Sequence, residues 1–442
     1  MRRGRRARLT ARLSGCASLL LLAACARTET RTTLTVTNWA AWNEQRLEEQ
    51  YMGAFGGAHA GVKVSLMAAS NQAEYRDQVL TSIASGAPPD VFFLDNIDVP
   101  AFAGSGVVLD LAPYAERVGL PLSAFDPRVL DIFRRDGRLY AFPKGFTPMV
   151  IAYNKDLFDR AHLPYPREDW TWEEFRAAAK ALTRDTDGDG RIDQYGFWLD
   201  RRAFMWMASL WALGGDVLCP DGTRAGGCLD SPATIRAFRD LTALATVDSV
   251  TPRFFGLRRS LGDNLRNLYS GHVAMVPAGH FWIPAFRPHV EAGRVRLGFT
   301  TIPHRAGLPP ATVLYAAGVA VPANARHKRL SVELAAFMVD SLAQTTRAAG
   351  GLEIPALTRI AERVVARDTT GWEAVFVHAA RAGRLPWGAR IAKWREVEAI
   401  LPDIMDRVIL NGEDVGAVLH DVSRQVDAVL GAGRPEGRGR AP

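Results

Sequence analysis

Four cysteines in 442 residues are too few for a disulfide-built mini-protein. A composition of 48% apolar and 23% charged residues excludes a collagen or a disordered chain and suits two or three α/β-sized domains. The sequence has no His-Glu-x-x-His pair, no nucleophile elbow, no phosphate-binding loop and no metal cluster able to activate water, so the enzyme classes built on those motifs are set aside. It also has little net charge once its beginning is removed. Six arginines (Arg2, Arg3, Arg5, Arg6, Arg8 and Arg12) precede Cys25 with no acid among them, and subtracting these six from the formal +7 leaves +1. A near-neutral body offers no electrostatic footprint for nucleic acid.

What the chain does have begins with an export leader. An arginine-rich start is followed by the apolar run Leu13 to Ala24, too short to cross a bilayer, and then by Leu22-Ala23-Ala24-Cys25. Those four residues resemble a bacterial lipobox, which implies a signal peptide over 1–24, a lipidated Cys25 and a polar tether over 25–32. The alternative is ordinary cleavage with Cys25 incidental, and the export route stays open. Diacyl anchoring places the protein at the outer face of the cytoplasmic membrane or in the periplasm. Cys16 leaves with the leader. Cys219 and Cys228 then remain, flanking a turn-rich stretch, and their spacing suits a local disulfide that contributes roughly 2.5 to 3 kcal/mol in the chain-entropy model. Two free thiols are the alternative; zinc would need more ligands.

Along the mature chain, Leu34 to Thr37 alternates as a strand, 44–55 reads as a helix, Val62 to Met67 as a strand, and Tyr75, Val79 and Ile83 mark a helix stopped by Gly86. Asp90 to Leu94 is a buried strand. This order predicts an open α/β sheet whose ligand crevice lies beyond the carboxyl ends of the strands, where Asp95 and Asn96 fall. Further strands are expected at Met149 to Tyr153, Val273 to Val276 and Gly318 to Val321. Thr171 to Glu174 is a capping box opening a helix whose buried face is Phe175, Ala178, Ala179 and Leu182. One amphipathic helix is expected over Ser331 to Leu342, and 431–442 reads as a frayed tail.

Five segments in order then carry a resemblance: Ser85-Gly-Ala-Pro-Pro-Asp-Val91, Ala103-Gly-Ser-Gly106, Tyr153-Asn-Lys-Asp-Leu-Phe158, Trp170-Thr-Trp-Glu-Glu-Phe175 and Gly271-His-Val-Ala-Met275. Behind a lipobox they are similar to the sugar-type (family 1) extracellular solute-binding proteins of bacterial ABC importers, the maltose- and glycerol-phosphate-binding-like lipoproteins. The resemblance implies a periplasmic-binding-protein-like fold: two α/β domains, crossover hinge strands, and a solute enclosed in the cleft by hinge closure. It implies residues 33–144 plus 303–345 for domain I and 149–298 plus 350–430 for domain II. It also implies permease subunits as partners and a monomeric chain that is a binder, not an enzyme.

A pyranose has apolar C–H faces and a belt of hydroxyls, so its site needs flat rings and orienting polar groups. The rings expected in cleft loops are Trp39 and Trp42 after the first strand, Phe204 and Trp206, Phe281 and Trp282, and Trp387. Trp211 is left in the core. The polar edge is assigned to Asp95 and Asn96 with Asn71 and Tyr75, while Phe146 and Thr147 lie on a crossover. Leu94 stands where some maltose-type members carry an aromatic, which counts against maltodextrins. The substrate class is therefore a mono- to oligosaccharide, with a glycerol-phosphate or polyol solute as the alternative. For a phosphate, only Arg202 and Lys144 are available cations. A surface glycoside hydrolase, using a carboxylate pair, is the other functional class.

Asp185, Asp187, Asp189 and Asp193, with Gly190 at the turn and the Arg191 carbonyl, reproduce positions 1, 3, 5, 9, 6 and 7 of an EF-hand calcium loop. Position 12 is Gly196, so the bidentate glutamate is missing. A structural Ca2+ is the expectation and a metal-free Asp-Gly turn the alternative; no cofactor is expected for function.

Overall fold

A computed structural model describes residues 32–39, 42–69, 72–253 and 261–431. The leader, Cys16, Cys25, Asn71, nearly all of the tether and the tail from 432 lie outside the described residues, as does the side chain of Trp42.

Twelve strands are described: β1 (Thr32–Asn38), β2 (Val62–Ala68), β3 (Val91–Asp95), β4 (Arg134–Arg135), β5 (Arg138–Leu139), β6 (Phe142–Pro148), β7 (Val150–Asn154), β8 (Met275–Ala278), β9 (Leu297–Thr300), β10 (Thr312–Ala320), β11 (Ile354–Pro355) and β12 (Gly383–Arg384). The larger sheet runs β11-β6-β10-β3-β1-β2, with β12 beside β10. Its β1, β2 and β3 are parallel, joined by helices Trp42–Ala58 and Gln72–Ala84, whereas β10 returns antiparallel to both β3 and β6. The smaller sheet is β8-β7-β9, antiparallel throughout. The expected α/β class therefore holds, in two lobes.

Several motif residues prove to be joints of this frame. The Asp90 carboxylate accepts the Thr35 amide at 2.9 Å and faces His327 Nδ1 at 3.0 Å, tying β1 to the helix Lys328–Phe337. Asn154 caps helix Lys155–Arg160, and the Thr171–Glu174 capping box forms as expected. Trp170 donates its indole N–H to the Thr301 carbonyl at 2.8 Å.

Two expectations need correction. The single helix over Ser331 to Leu342 is two helices, Lys328–Phe337 and Ser341–Ala349, because the Asp340 side chain caps a new start by accepting the Ala343 amide. The strand expected at Gly318 to Val321 starts at Thr312; buried almost throughout, Thr312–Ala320 shows no polar alternation to signal it.

Candidate functional site

A cleft of about 820 Å³ opens where the carboxyl ends of β1 and β3 face the turn Phe281 that follows β8 and the helix Ala203–Ala212. Trp39, Asp95, Asn96, Phe146, Thr147, Phe204, Phe281 and Trp387 all line it. Each is held from behind. Trp39 meets Tyr75 and Phe93 edge-on with ring centroids 5.1 and 5.6 Å away. Phe204 lies 4.5 Å from the ring of Tyr315, whose hydroxyl donates to the Phe204 carbonyl at 3.1 Å. Trp387 donates its indole N–H to Asp216 at 2.7 Å, the same carboxylate oxygen that accepts from Trp211 at 2.8 Å. Asp95 accepts the Ile97 amide, Asn96 donates to the Ala316 carbonyl at 3.1 Å, and Thr147 accepts the His280 amide at 2.8 Å.

Three expected contacts are not in the cleft. Tyr75 is buried behind Trp39, its hydroxyl within 2.9 Å of the Thr37 and Phe93 carbonyls. Trp206 is buried against Phe238 and donates to the Arg201 carbonyl, because the helix carrying it is apolar on every side and only Phe204 and its neighbours reach the cleft. Trp282, one residue beyond Phe281 on a helical turn, points the other way onto Phe286.

Missing from the expected site are most of its charges: Glu44, Glu353, Glu398, Arg347 and Arg395. Among the described residues, Glu44, Asp95, Glu353 and Glu398 line the cleft together with Lys144, Arg202, Arg347 and Arg395. Every one of those cations is committed. Lys144 contacts Glu353 at 2.9 Å and Glu44 at 3.5 Å; Arg347 binds Glu44 and Glu353 at 2.6 Å each and also Glu48. Arg395 grips Asp98 with two bonds of 2.7 Å, and Arg202 grips Asp200. Burial would raise Glu353, but Arg347 and Lys144 outweigh it and hold the carboxyl down at about 2. For Glu48, fully enclosed, burial wins and pushes it up to about 7. With Glu48 protonated, two carboxylates balance two cations and the cluster is neutral.

On helix Trp394–Ile400, residues 394, 395 and 398 face the cleft, at spacings that share a helical face. Burial, reinforced by the charge of Asp95 and opposed by Arg395, lifts Glu398 to about 7. Gly388 lies against Ile97 across the rim so closely that a Cβ there would come within 2.8 Å of the Ile97 Cα.

Away from the cleft, Asp185, Asp187 and Asp193 bring ligand oxygens within 4.8 Å of one another, on an exposed loop; Asp189 is not in that group and instead accepts the Arg191 amide. A side chain at position 12 is sterically barred, since a Cβ on Gly196 would meet the Ala179 carbonyl oxygen at 1.9 Å. Cys219 and Cys228 stand at bonding distance, 2.07 Å.

Two α/β lobes around a ring-lined cleft whose cations are each paired with a carboxylate define a solute-binding protein of the periplasmic type. The profile of the bacterial extracellular solute-binding protein family matches residues 50–374, and the chain belongs to that family. Its fold superposes on an ABC substrate-binding protein of Listeria monocytogenes in complex with cycloalternan (TM-score 0.80, 22% identity, 91% of this chain and 99% of that one). It also superposes on UgpB of Mycobacterium tuberculosis in complex with glycerophosphocholine (TM-score 0.78, 20% identity, 90% and 98%). In sequence it is 29% identical over 280 residues to an uncharacterized lipoprotein encoded in the oleD 5' region of Streptomyces antibioticus, 59% of this chain and 57% of that one. Among the described residues no helix is long and apolar enough to cross a membrane.

Proposed function

We propose that the protein captures a carbohydrate in this cleft and delivers it intact to the permease of an ABC importer. The observation that carries the reading is the lining itself: Trp39, Phe204, Phe281, Tyr315, Trp387 and Trp394 supply flat faces, and Asp95, Asn96 and Glu398 supply polar edges, in one cleft of about 820 Å³. That size is in the usual range for a small-molecule site. A phosphorylated solute fits less well, because each lining cation already serves a carboxylate.

Closure of the lobes by hinge bending belongs to the same proposal, with 33–144 plus 303–345 moving against 149–298 plus 350–430. In support, the chain passes from the larger sheet to the smaller between β6 and β7 and returns between β9 and β10, while β11 and β12, within 350–430, still pair with β6 and β10 of the larger sheet. The mature protein is read as an exported monomer anchored through Cys25, with the Cys219–Cys228 disulfide formed outside the cytoplasm. Asp185, Asp187 and Asp193 would hold a structural Ca2+, which supplies charge neutralisation to the loop and no chemistry to the cleft.

The test is a thermal-shift screen of sugars and polyols on the mature protein. The cognate solute stabilises the fold by RT ln(1 + [L]/Kd), about 2.7 kcal/mol at a hundredfold excess over Kd. Silence across the whole panel would remove the carbohydrate assignment, and recovery of fragments in place of the intact solute would turn it towards a hydrolase.

A further inference from the structure

We infer that the solute carries a protonated amino group and that Glu398 selects it, an inference that rests on the carbohydrate reading above. Glu398 lines the cleft from the helix Trp394–Ile400, and among the described residues it makes no hydrogen bond or ion pair. Arg395, on the same helix, is bonded to Asp98, its Nε and Nη2 each 2.7 Å from an Asp98 oxygen. Arg76, from helix Gln72–Ala84, is spent on the same Asp98, with Nε 3.1 Å from Oδ1.

Around Glu398 the two acids Asp95 and Asp98 are matched by the two cations Arg76 and Arg395, so an ionised Glu398 is the one charge in excess. From the end of β3 it faces Asp95 and Asp98, from its own helix Arg395, and from β10 Tyr315, whose hydroxyl is pushed well up by burial and then by Glu398 and Asp95. Burial first, and then repulsion from the charge of Asp95, push Glu398 up to about 7. A hydroxyl leaves that repulsion in place. An ammonium group removes it, pairing with both carboxylates while the rings of the cleft offer their negative faces to the cation. Because binding favours ionised Glu398, the protein gives up the proton that the carboxyl holds, and the cation replaces it.

The test uses matched pairs in which an amino group replaces a hydroxyl, such as chitobiose against cellobiose and glucosamine against glucose. Each is titrated calorimetrically into the mature protein at pH 6.5, in two buffers of different ionisation enthalpy. The expected result is that an amino member binds at least about tenfold more tightly than its hydroxyl partner and releases a fraction of a proton, with no release for the partner. Glu398→Gln should cost the amino member about tenfold more affinity than it costs the hydroxyl member, and should abolish the proton release. If the hydroxyl member binds as tightly, or no proton is released, the amine inference fails while the carbohydrate reading stands. If no member of any pair binds, both fail. The preference and the proton count are read on the unmodified protein, so the inference stays testable even if Glu398→Gln does not fold.

Discussion

Replacing Glu48 with glutamine isolates the pH linkage of the ion cluster under the cleft. Glu48 is fully buried against Arg347, and burial raises its carboxyl from an ordinary 4.5 to about 7. Between about pH 4.5 and 7 the folded protein thus holds a proton that the unfolded chain has released. Stability must fall as pH rises through that window, by up to about 1.4 kcal/mol per unit, for a total on the order of 3 kcal/mol. Glu353, held at about 2, works in the opposite sense: its contribution is present above about pH 4.5 and lost as pH falls towards 2, so it does not vary between pH 5 and 8. Glutamine cannot ionise. A constant packing cost of the amide beside Arg347 cancels when one pH is referred to another, so Glu48→Gln should gain about 2.5 kcal/mol on the parent between pH 5 and pH 8. Urea unfolding of both proteins at half-unit pH steps, followed by tryptophan fluorescence, measures the gain. Two curves that stay parallel from pH 5 to 8 would refute the assignment of that proton to Glu48.

Asp216→Ala strips the indole N–H groups of Trp211 and Trp387 of their shared acceptor and should cost about 1 to 3 kcal/mol in unfolding experiments, with weaker solute binding because Trp387 loses its anchor. Calcium should raise the melting temperature of metal-loaded over chelated protein, and Asp187→Ala should erase that increment while solute affinity is retained; identical melting curves with and without chelator would exclude the ion. Reducing Cys219–Cys228, whose partners are 9 residues apart, should lower stability by roughly 2.5 to 3 kcal/mol; an equal stability of the Cys219→Ala/Cys228→Ala protein would show that the bond contributes nothing.

The parts of this molecule that local pattern governs were readable from the sequence. Strand and helix order through Asp95, the capping box at Thr171 and the strand-end position of Asp95 and Asn96 follow from periodicity and from the rule that ligands lie beyond strand ends. The five motif segments mark the family through residues such as Asp90, Asn154 and Trp170, which hold the frame together and do not touch the cleft. The ion cluster had no such signal. Glu44 and Arg347 meet across 303 residues of sequence, and no local spacing announces that encounter. Adjacent aromatics were legible only as pairs: Phe281 and Trp282 look equivalent in sequence, and the helical turn that sends one to the cleft and the other to the core decides between them. Glu398 is one acid among many until helix Trp394–Ile400 is set against the end of β3.

Trp39 tests the central claim most directly, since it stands at the end of β1 with one side on Tyr75 and Phe93 and the other on the cleft. Calorimetric titration of the best sugar from the screen into the parent protein and into Trp39→Ala compares them with a single probe. A stacking platform lost from a solute site costs more than about 1 kcal/mol, so the affinity should fall about tenfold while the variant remains folded. Equal affinities for the two proteins would contradict binding in this cleft.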